Sequence, residues 1–437
     1  MIGGTLKRSG AAAPLRYALG ILGSLASLAA IAPSNPALAS EGNQWSYGFG
    51  QPGASIAAPQ QAYDQSFARE WEANPPKGFP TLSRENLNAM KDAIKRYADV
   101  VAAGGWKTVP DGQLQPGNSG AGVAILRERL KLSGDLRDAD DYDLGFFDGT
   151  LERAVRRFQA SNGLTPTGIV DKRTIAALNV PAAARLLQLR TNFGRLNEMA
   201  RGLPKRYVVV NIPAAQIEAV ENDKVVSRHA GVVGKIDRQT PLLRSQIHEL
   251  NFNPVWHLPP TVITKDLVPK AREMAKKGQD ALTKFGIDAY GGDGKKLDST
   301  KIKWDGPAAN GLTYRQQPGP ENPLGFVKIN FHNSHSVYMH DTPSDRMFGR
   351  NFRAASSGCV RVQGIENLAT WLMEEQGWDK QRVLALKKSG ERQDVRLKKP
   401  VPLFFVYITA WATEDGVIQF RRDLYQRDGV GPTASAY

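Results

Sequence analysis

The chain has 437 residues, a formal net charge of +14, 41% apolar content and one cysteine. That apolar fraction over this length excludes a disordered chain and leaves room for about two to four domains, while a lone cysteine excludes an internal disulfide framework. The basic excess suits a polyanionic partner, but no DNA- or RNA-binding motif accompanies it, so nucleic acid is not an expected partner.

Lys7, Arg8 and Arg16 precede a run of apolar and small residues from Tyr17 to Ala32, and no acidic residue occurs before Glu41. Pro33 and Pro36 interrupt any helix, and Ala37-Leu38-Ala39 has the small-x-small form read by signal peptidase. Residues 1–39 are therefore expected to be a signal peptide, cleaved after Ala39. The run is shorter than the roughly 20 residues of a bilayer span, and Gly20, Gly23, Ser24 and Ser27 dilute it. Membrane contact is expected only through this segment, and the rest is expected in the periplasm or its equivalent. Residues 40–61, rich in Gly, Ser, Ala, Gln and Pro, read as a flexible linker.

Residues 62–116 turn helical, with Leu87, Met90, Ile94 and Tyr97 at spacings of three and four and Ser83 placed to cap. A second helical stretch, residues 181–205, carries Leu186, Leu189, Phe193, Leu196 and Met199 on one face. The two are expected to pack together as a scaffold. Between them, residues 117–180 contain a helix near Val123–Leu132, an acidic loop, and two further helices that begin after Gly149 and Gly168, with Thr150 and Asp171 as caps and Ala154, Val155 and Phe158 inward. This predicts a compact three-helix unit.

From residue 206 the pattern becomes β-rich. Tyr207–Ile212, Gln216–Val220 and Val225–Val233 read as strands, followed by Ser245, Ile247, Leu250 and Phe252. Residues 264–323 are rich in Lys, Gly and Asp, with one helix near Leu267–Lys277, and interrupt two β-rich halves as an inserted lid. Strand text resumes at Phe326–Phe331, turns at His332–His335 and returns through Tyr338-Met339-His340; residues 400–425 supply the last strands.

The sole cysteine lies in Arg353-Ala354-Ala355-Ser356-Ser357-Gly358-Cys359-Val360-Arg361, 19 residues after His340 and at the mouth of a helix from about Ile365 to Glu375. In an oxidising compartment an unpaired thiol needs a reason, and a nucleophile beside a histidine is one. A neighbouring imidazole can take the thiol proton, and a glycine lets the backbone approach a substrate carbonyl, with the Gly358 and Cys359 amides facing a developing oxyanion. The pattern points to cysteine acyl transfer. His332 and His335 read as turn residues, and His229, His248 and His257 have no zinc-ligand spacing. A cysteine endopeptidase of the NlpC/P60 type would place cysteine before histidine; here histidine comes first.

These pieces carry two resemblances. Residues 117–180, with Phe147-Asp148-Gly149-Thr150, Asn162-Gly163-Leu164 and Thr167-Gly168-Ile169, resemble the peptidoglycan-binding domain 1 family. His340-Asp341-Thr342 followed by Ser356-Ser357-Gly358-Cys359-Val360-Arg361, with Thr240-Pro241 upstream, is similar to the YkuD-type L,D-transpeptidase domain. Many members of that family carry histidine where Ser357 stands, and serine there is similar to the large periplasmic subclass. The fold these resemblances imply is α+β and multidomain: a mainly-β catalytic domain over residues 206–430 with a capping insertion, a three-helix peptidoglycan-binding domain, a helical scaffold, and a tail at 431–437.

The activity implied is 3-3 cross-linking of peptidoglycan through a Cys359 thioester, with His340 as base, Tyr338 and Gly358 at the oxyanion site, and Arg353, Ser356, Ser357, Arg361 and Trp256 shaping the loop and substrate groove. Peptidoglycan stem peptides and glycan are the implied partners, alongside other cell-wall synthesis enzymes, and no metal or organic cofactor is expected. Water or a protein lysine as acceptor would make the same site an L,D-carboxypeptidase or a lipoprotein-attaching enzyme. A non-catalytic wall-binding scaffold is the alternative of another class.

Overall fold

The structure is a computed structural model that describes residues 80–136, 145–412 and 416–431. The expected signal peptide, the linker, residues 62–79, most of the acidic loop and residues 432–437 lie outside the described residues. Among the described residues, no helix is long and apolar enough to cross a membrane.

The first strand, β1 (Arg206–Asn211), is buried on both faces, and its alternation builds two cores at once. Val208 and Val210 point into one cluster with Ile247, Ile329 and Val360. Tyr207 and Val209 point the other way, into a cluster with Met90, Tyr97, Leu189 and Leu196. A strand with period two can serve two layers only if both sets of residues are apolar, which this one satisfies. The long strand β12 (Gln393–Val406) repeats the device, with Leu403 and Phe405 in the first cluster and Phe404 and Val406 in the second.

The remaining strands are β2 (Gln216–Glu221), β3 (Lys224–Gly234), β4 (Leu243–Phe252), β5 (Trp256–His257), β6 (Ile287–Tyr290), β7 (Thr313–Gln316), β8 (Val327–Phe331), β9 (Met339–His340), β10 (Ala354–Ser356), β11 (Val360–Val362), β12 (Gln393–Val406), β13 (Ala410–Ala412) and β14 (Ile418–Phe420). Eight of them join β1 in one nine-stranded sheet, in the order β10-β3-β11-β9-β8-β4-β12-β1-β2, and β2 pairs back onto β3, closing it. Closure leaves few unpaired edges. A register shift between Ile247 and Glu249 on β4 explains why Ile247 and Leu250, three apart, both reach the core.

The helices α1 (Glu85–Ala102) and α5 (Ala182–Met199) pack together on the outer side of β1 and β12. Ser83 Oγ accepts the Glu85 amide at the start of α1. A buried Glu218 on β2 ties residue 81 to the sheet: it accepts the Thr81 amide and hydroxyl and pairs with Arg228 at 2.9 Å. The three-helix unit, α2 (Ala121–Ser133), α3 (Gly149–Ser161) and α4 (Lys172–Leu178), encloses Val123, Leu126, Phe147, Leu151, Phe158 and Ile175. Asp171 caps α4 as expected, but Asp148, not Thr150, caps α3: the helix starts at Gly149, so Thr150 falls inside its first turn.

The insertion has its own core of Leu258, Leu267, Met274, Phe285 and Tyr314. A one-turn helix at Pro260–Val262 and a π-helical segment at Ile263–Leu267 run into α6 (Val268–Ala275), followed by α7 (Ala281–Phe285). Where one helix was expected, a three-stranded sheet β5-β7-β6 also appears, and β5 brings Trp256 and His257 into it. The helices α8 (Ile365–Met373) and α9 (Lys380–Ser389) cover the inner core.

Candidate active site

The site is set by strand register. β9 and β11 pair in parallel with Met339 opposite Val360 and His340 opposite Arg361. Met339 and Val360 are fully buried in the core, so alternation turns Tyr338, His340, Cys359 and Arg361 to the other face together. β8 pairs antiparallel with β9, Lys328 opposite His340, which adds Lys328 to that face. β11 stands between Cys359 and α8, so the cysteine is not at a helix mouth, contrary to the sequence reading.

The loop that carries Cys359 is tightly braced. Ser356 Oγ donates to the Cys359 carbonyl at 2.5 Å and accepts the Gly358 amide at 3.1 Å. The Gly358 amide is thus engaged within the loop, which corrects its expected place among the oxyanion donors. Gly358 serves instead through its φ of 117°, a conformation that favours glycine. Its carbonyl accepts from Thr240 Oγ1 at 2.8 Å, and the same hydroxyl oxygen accepts the Gly234 amide at 2.9 Å. Arg353 is held by the carbonyls of Gly231, Arg350, Ala214 and Ala215. Its place is therefore beneath the loop as a brace, not against a substrate. Ser357 is exposed and accepts from Arg238 at 2.8 Å. Arg238 also reaches Asp266 in the π segment of the lid, at 3.8 Å, joining lid to loop.

The half-buried Cys359 has its pKa pushed up by burial, against which the Tyr338 backbone and hydroxyl, Lys328 and Arg361 all favour the thiolate. Burial, with Arg361 next in effect, lowers His340 to about 3. Its Nδ1 lies 2.6 Å from the Asp341 carbonyl oxygen, so a proton there leaves the lone pair on Nε2. The Asp341 carboxylate faces elsewhere, accepting the Phe326 amide at 2.9 Å. Burial raises it to about 6.

Tyr338 accepts from Trp256 Nε1 at 3.1 Å, which carries the lid onto the sulfur. Arg361, 6% exposed and lowered to about 10 by burial, touches Met347 Sδ at 3.2 Å, and its Nε has no hydrogen-bond partner. A cation at such depth without a carboxylate raises the local potential for any anion that forms beside it.

Lys328 is the functional candidate that sequence reading missed. Its ammonium stands 4.5 Å from the centre of the Tyr338 ring, and burial lowers its pKa. In the sequence it is one polar residue on an alternating strand, and only the pairing with His340 reveals its position.

Residues 205–397 match the family described as the L,D-transpeptidase catalytic domain, YkuD, and residues 119–178 match the family described as "Putative peptidoglycan binding domain". A Haemophilus influenzae protein named "Putative L,D-transpeptidase" is 32% identical over 222 residues, covering 51% of this chain; the match spans 44% of that relative, less than half its length. Among solved structures, an L,D-transpeptidase from Xylanimonas cellulosilytica is similar at 15% identity, covering 68% of this chain and 99% of the other with a TM-score of 0.22. One from Stackebrandtia nassauensis has 12% identity, 68% and 96% coverage, and a TM-score of 0.25. These overlaps are loose, and no argument rests on them. Trp256 of the lid and Cys359 of the loop both reach the Tyr338 hydroxyl.

Proposed function

We propose that the protein is a periplasmic peptidoglycan L,D-transpeptidase that forms 3-3 cross-links through an acyl-enzyme on Cys359. The observation that supports this reading is the register of β9 against β11, with Met339 opposite Val360 and His340 opposite Arg361, together with the hydrogen bond from the lid's Trp256 to Tyr338. The thiol proton passes to His340 Nε2 as sulfur attacks the carbonyl of the third residue of a donor tetrapeptide. The tetrahedral oxyanion is met by the Cys359 amide and the Tyr338 hydroxyl. Collapse breaks the bond to the terminal D-Ala, whose amine takes the proton back from His340, leaving a thioester. The side-chain amine of a neighbouring stem then attacks the thioester, loses its proton to His340 and returns the thiol.

Lys328 and Arg361 hold positive charge on this face without a basic group being consumed, which suits both the transient thiolate and carboxylate-bearing stems. The three-helix module would keep the enzyme on the wall, in line with its family match. The test is incubation of the full mature chain with a disaccharide tetrapeptide, followed by product analysis by mass spectrometry. The reading expects cross-linked dimers and free D-Ala with wild type and neither with Cys359→Ala. Tripeptide without dimers would instead assign the site to carboxypeptidase chemistry.

A further inference from the structure

Away from the catalytic face, a cavity of about 270 Å³ opens where α1, α2, α3, α5 and the β13–β14 hairpin meet. Its walls include Arg96, Arg129, Arg185, Asp135, Tyr97 and Phe420. We propose that this cavity binds a small oxyanion, a carboxylate or a phosphate, at the junction of the three-helix module, the helical scaffold and the C-terminal hairpin. The proposal does not depend on the transpeptidase reading.

Arg129 carries the argument. Its side chain is 2% exposed; Nε donates to the Leu178 carbonyl at 2.9 Å and the guanidinium stacks 3.6 Å from the centre of the Trp106 ring, yet Nη1 has no hydrogen-bond partner. A buried charged donor without a partner is costly, and Arg129 is one of the residues that line this polar cavity. Burial, with repulsion from Arg185, lowers its pKa to about 10, so it remains cationic at neutral pH.

The neighbours strengthen the field. Arg185 is held in place by Gln188 and Asn162, at 2.9 and 3.0 Å, with its guanidinium 4.4 Å from the centre of the Phe420 ring. Exposed Arg96 stands at the mouth, packed where a side chain on Gly134 would reach it at 3.1 Å. Neither Arg96 nor Arg129 has an ion-pair partner among the described residues. Asp135 opposes an anion, but Ser133 and Ser161 donate to it at 2.6 and 3.4 Å, and burial raises its pKa. Three guanidinium groups against one carboxylate leave the cavity positive. A planar fork of N–H donors matches carboxylate and phosphate oxygens.

The experiment is isothermal titration calorimetry of the full mature chain with inorganic phosphate and, separately, with succinate, each against sodium chloride at matched ionic strength. Saturable binding of one or both is expected, phosphate alone or succinate alone naming which oxyanion the site takes. Arg129→Met should abolish it. Arg96→Gln, at an exposed position where folding is not at risk, should weaken it roughly tenfold, the effect of one charged hydrogen bond. No saturable binding of either probe, the same heat from chloride, or wild-type affinity in Arg96→Gln would overturn the proposal.

Discussion

The resting site should contain a neutral thiol and a neutral imidazole, not a preformed thiolate–imidazolium pair. Burial raises the Cys359 thiol above its ordinary range and holds His340 at about 3. Lowering the imidazole from 6.5 to about 3 by itself disfavours the imidazolium by about 5 kcal/mol, and burial of the thiol acts in the same direction. An opposite charge in contact offsets about 4 kcal/mol at an effective dielectric near 20, which does not cancel the two together. His340 then acts by accepting the proton during attack, not before it.

Alkylation by iodoacetamide measures this, and because Cys359 is the only cysteine every adduct on the intact mass reports it. The rate should climb with pH and show no plateau up to about pH 8, and Lys328→Met should move the curve up by roughly one unit, since it removes a cation that favours the thiolate. A plateau in the weakly acidic range would mean a stable ion pair and would refute the reasoning.

Three other outcomes follow from the same contacts. Ser356→Ala removes the hydroxyl that bridges the Gly358 amide and the Cys359 carbonyl; acylation should fall roughly 30-fold or more for about 2 kcal/mol of lost positioning, while circular dichroism stays that of a folded protein. Trp256→Phe keeps the lid packing but deletes the donor to Tyr338, so acylation should drop by roughly 3- to 10-fold; an unchanged rate would remove Trp256 from the site. His229 is buried, held at about 4 by burial, with Nδ1 on the Gln363 carbonyl and Nε2 against Ser227 Oγ. Its folded pKa lies below the unfolded 6.5, so the unfolded chain binds more protons in that window and stability is lost as pH falls from about 6.5 toward 4, by about 3 kcal/mol. His229→Gln should flatten that part of a thermal-midpoint profile against pH; an identical slope would contradict it.

The two motif segments were readable because they are short and chemically distinctive. A lone cysteine after Ser-Ser-Gly and a histidine before Asp-Thr need no tertiary information to be noticed. Pairings were less readable. The Val360–Val362 strand is three residues long, so the text after Cys359 looked like an approach to α8, when it is the strand that turns the sulfur toward Tyr338. The lid strands, two to four residues each and far apart in sequence, give too little alternation to detect. The expected oxyanion donor at Gly358 failed for a local reason: the serine two residues earlier accepts that amide. Arg353 looked like a cationic rim residue, and only the fold shows its guanidinium under four carbonyls. Asp148 capped α3 because the helix began one residue sooner than its glycine suggested.

The most direct test of the central claim is the intact mass of the full mature chain, mixed with a disaccharide tetrapeptide and quenched in acid at early times. The account predicts an added mass equal to the donor minus D-Ala, mapped by peptide fragmentation to Cys359 and missing from Cys359→Ala. Turnover of the donor with no adduct on wild type, or an adduct that persists in Cys359→Ala, would contradict it.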